Sequence, residues 1–121
     1  MIRISDALLA LRPGSQWSIN GNVYSGLNWL DTEQTKPTEE EVVEKIAELT
    51  YQEEVEVYKE QRAAEYPSMA EQQDMQFHDA VNGTTTWKDT IQAIKDKYPK
   101  KKMNTKTLNK RKKDALKKLE E

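Results

Sequence analysis

The stretch that most constrains the fold begins at Lys36-Pro37-Thr38-Glu39-Glu40-Glu41 and meets no further Gly or Pro until Tyr66-Pro67. Thr38 with Glu41 three residues on reads as a capping box, in which each residue satisfies the other's free backbone N–H. Acidic side chains in this first turn also suit the positive end of the helix dipole. The residue before a proline avoids the helical region, so Tyr66 marks the stop. The expected helix, about residues 39–65, would span roughly 40 Å at 1.5 Å per residue. In a chain of 121 residues, the remaining elements must be arranged around that rod. Its first half carries an apolar stripe of Val42, Ile46 and Leu49, with Val43 beside it. Its second half offers Val55, Val57, Tyr58 and Ala63 among polar residues, too few for a private core and enough to dock a neighbouring helix.

Before the rod, Ser5-Asp6 reads as the cap of a short helix carrying Ala7, Leu8, Leu9 and Leu11, stopped by Pro13-Gly14. Trp17 to Tyr24 alternates around Asn20-Gly21, a dipeptide suited to a two-residue type I′ hairpin turn. That turn would set Trp17 opposite Tyr24 as an aromatic cross-strand pair. Leu27, Trp29 and Leu30 would continue the second strand past a bulge at Gly26. A lone hairpin is barely stable in water, so this one must pack on a helix or another chain. Trp17, Trp29, Ile46 and Leu49 are the expected shared core.

After the rod, Ser68 with Glu71 opens a second helix whose apolar face is Met75, Phe77 and Val81, closed by Asn82-Gly83. Thr86 with Asp89 caps a third, carrying Trp87, Ile91 and Ile94 and closed by Tyr98-Pro99. Two helices joined by a short Gly-containing turn make a helical hairpin. The fold class expected is therefore α+β, mostly α: a short helix and β-hairpin packed on a long helix, then a helical hairpin and a basic helical tail. The regional division is 1–50, 51–99 and 100–121.

Charge divides along the chain. Residues 1–87 hold 6 Lys/Arg and 16 Asp/Glu, whereas residues 88–121 hold 13 Lys/Arg and 5 Asp/Glu. Such a basic tail binds nucleic acid, binds an acidic protein, folds back on its own body, or stays solvated. Its helix, over about residues 105–119, has only Leu108, Ala115, Leu116 and Leu119 as apolar positions, a narrow stripe that expects a partner or frays. The lysines are the natural electrostatic partners of Glu53, Glu54, Glu56 and Glu60, within one chain or between chains. The candidate partner-binding residues are thus Val55, Val57 and Tyr58 on the rod, Tyr66, Trp87 and Tyr98 at the helix ends, and Lys100, Lys101, Lys102, Lys110 and Arg111 in the tail. Other proteins and self-association are the partners expected. The absence of a helix-turn-helix or an aromatic RNA-binding motif argues against nucleic acid.

Chemistry is sparse. Without cysteine there is no disulfide, thiolate metal site or thiol nucleophile. The only histidine, His78, has no nucleophile elbow to serve. Glu39 to Glu41 and the pair Glu53-Glu54 are adjacent on a helix and point apart, and no metal-ligand spacing occurs. None of the glycines at 14, 21, 26 and 83 falls in a phosphate-binding pattern. No enzyme activity, metal or cofactor is expected. The longest apolar run, residues 7–11, falls far short of the roughly 20 residues that cross a bilayer. The N-terminal region is too short in apolar residues for a signal peptide, so a cytoplasmic location is expected.

The segment from Tyr58 to Lys100 contains Arg62-Ala63-Ala64-Glu65-Tyr66-Pro67, then Gln72-Gln73-Asp74, His78, Trp87 and Ile91-Gln92-Ala93-Ile94-Lys95-Asp96-Lys97-Tyr98-Pro99-Lys100. It resembles the R-A-x-x-Y-P…Q-x-D…H…W…I-x-x-I-K-x-K-Y-P-K ending of small tail and tail-fibre-associated proteins of tailed phages, those of marine cyanophage-type myoviruses especially. Residues 4–49 resemble the XkdW-like phage family in layout: short helix, glycine-turn hairpin, tryptophan, then a Pro-Thr-x-x-Glu helix start. Together these cover about 100 of 121 residues. The resemblance implies a phage tail-region protein, a virion component or assembly factor, with other tail or fibre proteins as partners. It places the protein in the host cytoplasm during assembly and, if it is a virion component, in the virion tail, and it supplies no catalytic residues. The lysine-rich stretch after Lys100 departs from the pattern.

Overall fold

The computed structural model describes residues 1–120. In chain order it contains α1 (Ile4–Leu11), β1 (Trp17–Ile19), a 3-10 turn (Tyr24–Gly26), β2 (Leu27–Trp29), α2 (Glu39–Glu65), α3 (Met69–Asn82), α4 (Thr86–Lys97) and α5 (Thr105–Leu119). This is the mostly helical α+β class: a short helix and β-hairpin with the long α2, an α3–α4 hairpin, and α5 packed on α2. The chain divides into two compact units, residues 1–54 with 103–121, and residues 55–102.

In the first unit, Ile4, Ala7 and Leu8 of α1 meet Leu27 of β2 and Val42 of α2 in a buried core. Leu11, Trp17, Ile19, Tyr24, Trp29 and Ile46 pack around it half-buried. Trp17, Trp29 and Ile46 thus join the core as expected. Leu49 does not: it is half-buried outside that cluster, and α1 supplies the centre instead. The cap of α1 also differs from expectation. Arg3 precedes the helix, Asp6 accepts the Arg3 N–H at 2.9 Å from inside the first turn, and Asn22 reaches back from the hairpin to accept the Ile4 N–H at 3.0 Å.

The hairpin forms with a longer connection than Asn20-Gly21. Trp17 pairs with Trp29, Ser18 with Asn28 and Ile19 with Leu27, so Trp17 does not face Tyr24. A type I′ turn needs positive φ at both central residues, and only Gly21 has it, at 77°. The physical reason lies in what the loop side chains do. Asn22 caps α1, and the Tyr24 hydroxyl donates to the Pro37 carbonyl at 2.6 Å. Both contacts require the chain to travel outward through residues 20–26 before pairing resumes. Gly26 is no bulge: it closes the 3-10 turn with its carbonyl accepting the Asn20 N–H at 3.0 Å, against backbone that leaves no room for a Cβ.

The capping box of α2 is present, with Thr38 Oγ1 accepting the Glu41 N–H at 3.1 Å and Glu41 receiving the Thr38 N–H at 3.4 Å. Asp31 organises the approach to it by accepting three backbone N–H groups, from Gln34, Gln16 and Glu33, which lower its pKa. At the other end of the unit α5 is a defined helix. Asn104 caps it by accepting the N–H groups of Lys106 and Thr107, and donates its own N–H to Tyr51 Oη at 3.1 Å.

In the second unit, Arg62 near the end of α2 donates to the Tyr98 and Lys95 carbonyls at 2.9 and 3.3 Å, neutralising the C-terminal end of α4. Ser68 caps α3, and Gly83 at φ 67° ends it in the left-handed conformation. The cap of α4 falls one residue earlier than expected: Thr85 precedes the helix and donates to Asp89 at 2.9 Å. The free N–H groups of Thr86 and Trp87 go instead to Asp79 of α3, at 2.9 and 2.8 Å. Among the described residues, no helix is long and apolar enough to cross a membrane.

Candidate interaction surface

Among the described residues, two surfaces are candidate sites once the cores are assigned. The first is an open groove of about 470 Å³ in the first unit. Val43, Ile46, Ala47 and Thr50, one stripe of α2, form one wall, and Ala115 of α5 forms the other. Arg111, Asp114 and Lys118 rim it. Arg111 is fixed by two contacts: an ion pair with Glu54 at 2.7 Å and a position 4.6 Å from the centre of the Tyr51 ring. Lys112 approaches Glu48 at 4.0 Å, and together with Lys45 it keeps the Glu48 carboxyl below its ordinary pKa, the Lys45 hydrogen bond being the larger influence. The remaining lysines of α5, Lys106, Lys110, Lys113 and Lys117, recur at helical spacing on its exposed side. Among the described residues the walls of the groove are apolar, with the Thr50 hydroxyl and no histidine in the lining.

The second surface is the outer face of α3. Met69, Phe77 and Val81 lie along one side of the helix and are 68%, 73% and 66% exposed. The sequence suggested one apolar face of Met75, Phe77 and Val81. The structure separates them, with Met75 half-buried and the other two outward. The inward positions include Gln72, which accepts the Trp87 Nε1–H at 3.1 Å, and Asp79. The Thr84 hydroxyl, followed by the N–H groups of Trp87 and Thr86, holds the Asp79 carboxyl down at about 2.

The candidate residues from the sequence are dispersed. Val55 and Tyr58 are buried, the latter with the Arg62 guanidinium 4.9 Å from its ring centre, whereas Val57 faces out at 41%. Tyr66 is half-buried and Trp87 is 37% exposed. The Tyr98 hydroxyl donates to Glu65 at 2.6 Å, beside Lys97 at 2.7 Å; Lys97 and then Tyr98 lower the Glu65 pKa, and Glu65 raises that of Lys97. Lys100, Lys101 and Lys102 are exposed between α4 and α5, and Lys110 is exposed on α5. Only Arg111 reaches the groove. His78 is exposed on α3 beside the Asn82 amide, 3.1 Å from its Nδ1.

No family model, curated protein or solved structure matches the chain.

The groove was missed because Val43, Ala47 and Ala115 are unremarkable alone and meet only once α5 lies against α2. A helical projection of α3 was the available signal for its outer stripe: Met69, Gln73, Phe77 and Val81 follow one another at four-residue steps. Among the described residues, no group of three or more His, Asp or Glu side chains is arranged to hold a metal ion.

Proposed function

We propose that the chain works by protein–protein contact in the tail region of a tailed phage, as a virion component or as an assembly factor for tail or tail fibre. The observation that carries the contact reading is the pair of unpartnered apolar surfaces, the α2–α5 groove and the outer stripe of α3. Contiguous apolar surface left open on a small protein commonly marks an interaction site. The phage setting is supported by the resemblance of residues 58–100 and of residues 4–49. Affinity purification of the full chain from phage-producing cells, washed at physiological salt, tests it. A tail or fibre protein should co-purify in fixed ratio; its absence, with only host chaperones recovered, would oppose the reading.

A second reading has one observation in its favour. The exposed lysine row of α5 would attract a phosphate backbone, with binding that falls steeply as salt rises. The acidic residues 1–87 oppose it. A mobility-shift assay at low and physiological salt, with and without residues 100–121, separates the two. Tight, tail-dependent binding that survives physiological salt would favour nucleic acid.

A further inference from the structure

We propose that the outer stripe of α3 in one copy docks into the α2–α5 groove of a second copy, joining chains head to tail. This deepens the contact reading above and rests on it, naming a second copy of this chain as one partner. Phe77 and Val81 stand one helical turn apart, so their side chains project from the same side about 6 Å from each other. Each is about two-thirds or more exposed, with no cover from its own unit. The groove offers about 470 Å³ between apolar walls, within the range of roughly 300–1,000 Å³ that encloses organic groups of this size.

Charge selects the occupant. α3 carries Glu71, Asp74 and Asp79 and no Lys or Arg. α5 carries six Lys and Arg111 against Asp114. Asp74, three residues before Phe77, lies beside the stripe, and Arg111, Asp114 and Lys118 rim the groove, Arg111 being paired with Glu54. An apolar ridge on an acidic helix thus meets an apolar groove walled on one side by the basic helix α5. Complementary charges of this kind raise the association rate and suppress the reversed orientation. Ridge and groove are different surfaces of one chain, so the contact is heterologous. Successive copies close into a ring or continue as a filament.

Sedimentation velocity on the full chain, over a concentration series at low and physiological salt, tests the association. Mass should rise with concentration and fall with salt. Phe77→Asp, at an exposed position, should weaken the dissociation constant about 30-fold or more, about 2 kcal/mol at 1.4 kcal/mol per tenfold. Ala47→Arg should block the groove to a similar extent. Each variant alone should be monomeric, and their equimolar mixture should form dimers, because one retains the groove and the other retains the ridge. Because the chain has no cysteine, Phe77→Cys protein mixed with Ala115→Cys protein should also give a disulfide-linked dimer in higher yield than either alone. This arm decides the matter if Ala47→Arg does not fold. A wild-type monomer at every concentration, association that persists in Phe77→Asp, or cross-linking no better in the mixture than in Phe77→Cys alone would overturn the proposal. These assays use the purified chain alone. A monomer that still captures a tail protein from cells would sink this inference and leave the contact reading standing, and a self-associating chain that captures none would do the reverse.

Discussion

Leu8 and Leu9 are neighbours on the same helix with opposite surroundings, and the account requires Leu→Ala to have very different effects at the two. Leu8 is 0% exposed, among Ile4, Ala7, Leu27 and Val42, whereas Leu9 is 59% exposed. Truncation at Leu8 removes three buried carbon groups, about 2.4 kcal/mol at roughly 0.8 kcal/mol each. The cavity left among α1, β2 and α2 adds to this, for a total of about 3–4 kcal/mol, within the usual range for Leu→Ala. The same change at Leu9 leaves no cavity and should cost under about 1 kcal/mol, reduced further by the higher helix propensity of Ala. A small unit shifts its Tm by about 4–8 °C per kcal/mol, so Leu8→Ala should lower it by about 12 °C or more. Thermal unfolding followed by tryptophan fluorescence is the assay. Trp17 and Trp29 report on the first unit, and a Trp87→Phe background removes the signal of the second. Equal shifts for the two substitutions would refute the core described above.

Three further outcomes follow from the geometry. Gly26→Ala should destabilise the first unit by about 1–3 kcal/mol, as overpacking does, because its Cβ would collide with the Asn20 backbone; a melting curve unchanged from wild type would contradict the loop geometry. Asp79 has a folded pKa of about 2, below the unfolded value of about 3.9, so the unfolded chain takes up its proton first as pH falls. Its stabilisation of the α3–α4 turn is therefore complete above about pH 5 and lost as pH falls through about 2; the Thr86 and Trp87 amide NMR signals should titrate with that midpoint and lose it in Asp79→Asn. Arg111→Ala removes a half-exposed ion pair and a cation–π contact, together worth about 1 kcal/mol. Amide exchange in α5 should quicken about fivefold, and an unchanged rate would mean that α5 is held by other contacts.

Elements specified by neighbouring residues were legible in the sequence, and those specified by distant ones were not. Thr38 and Glu41 cap α2, Tyr66-Pro67 ends it and Gly83 ends α3, each through contacts within a few residues, so helix bounds follow from local chemistry. The hairpin followed from strand-forming residues around a turn signal. Its register did not, because Asn22 and Tyr24 are held by α1 and Pro37, which lie 18 and 13 residues away. The packing of α5 rests on Tyr51, Glu54 and Glu48, more than 50 residues earlier, so the narrow apolar stripe of the tail concealed a docked helix. The groove depends on that packing and could not be read before it. The outer stripe of α3 lay in view as a four-residue repeat, but choosing which face α4 would cover required Asp79 and Gln72 to be placed first.

Mass spectrometry of gradient-purified phage particles and of the matching infected-cell lysate, fractionated in parallel, tests the central claim most directly. The account predicts that the chain sediments with tail or tail-fibre proteins: in the particles if it is a virion component, in lysate subassemblies alone if it is an assembly factor. A chain found in neither, sedimenting free or with nucleic acid and released by nuclease, would contradict it.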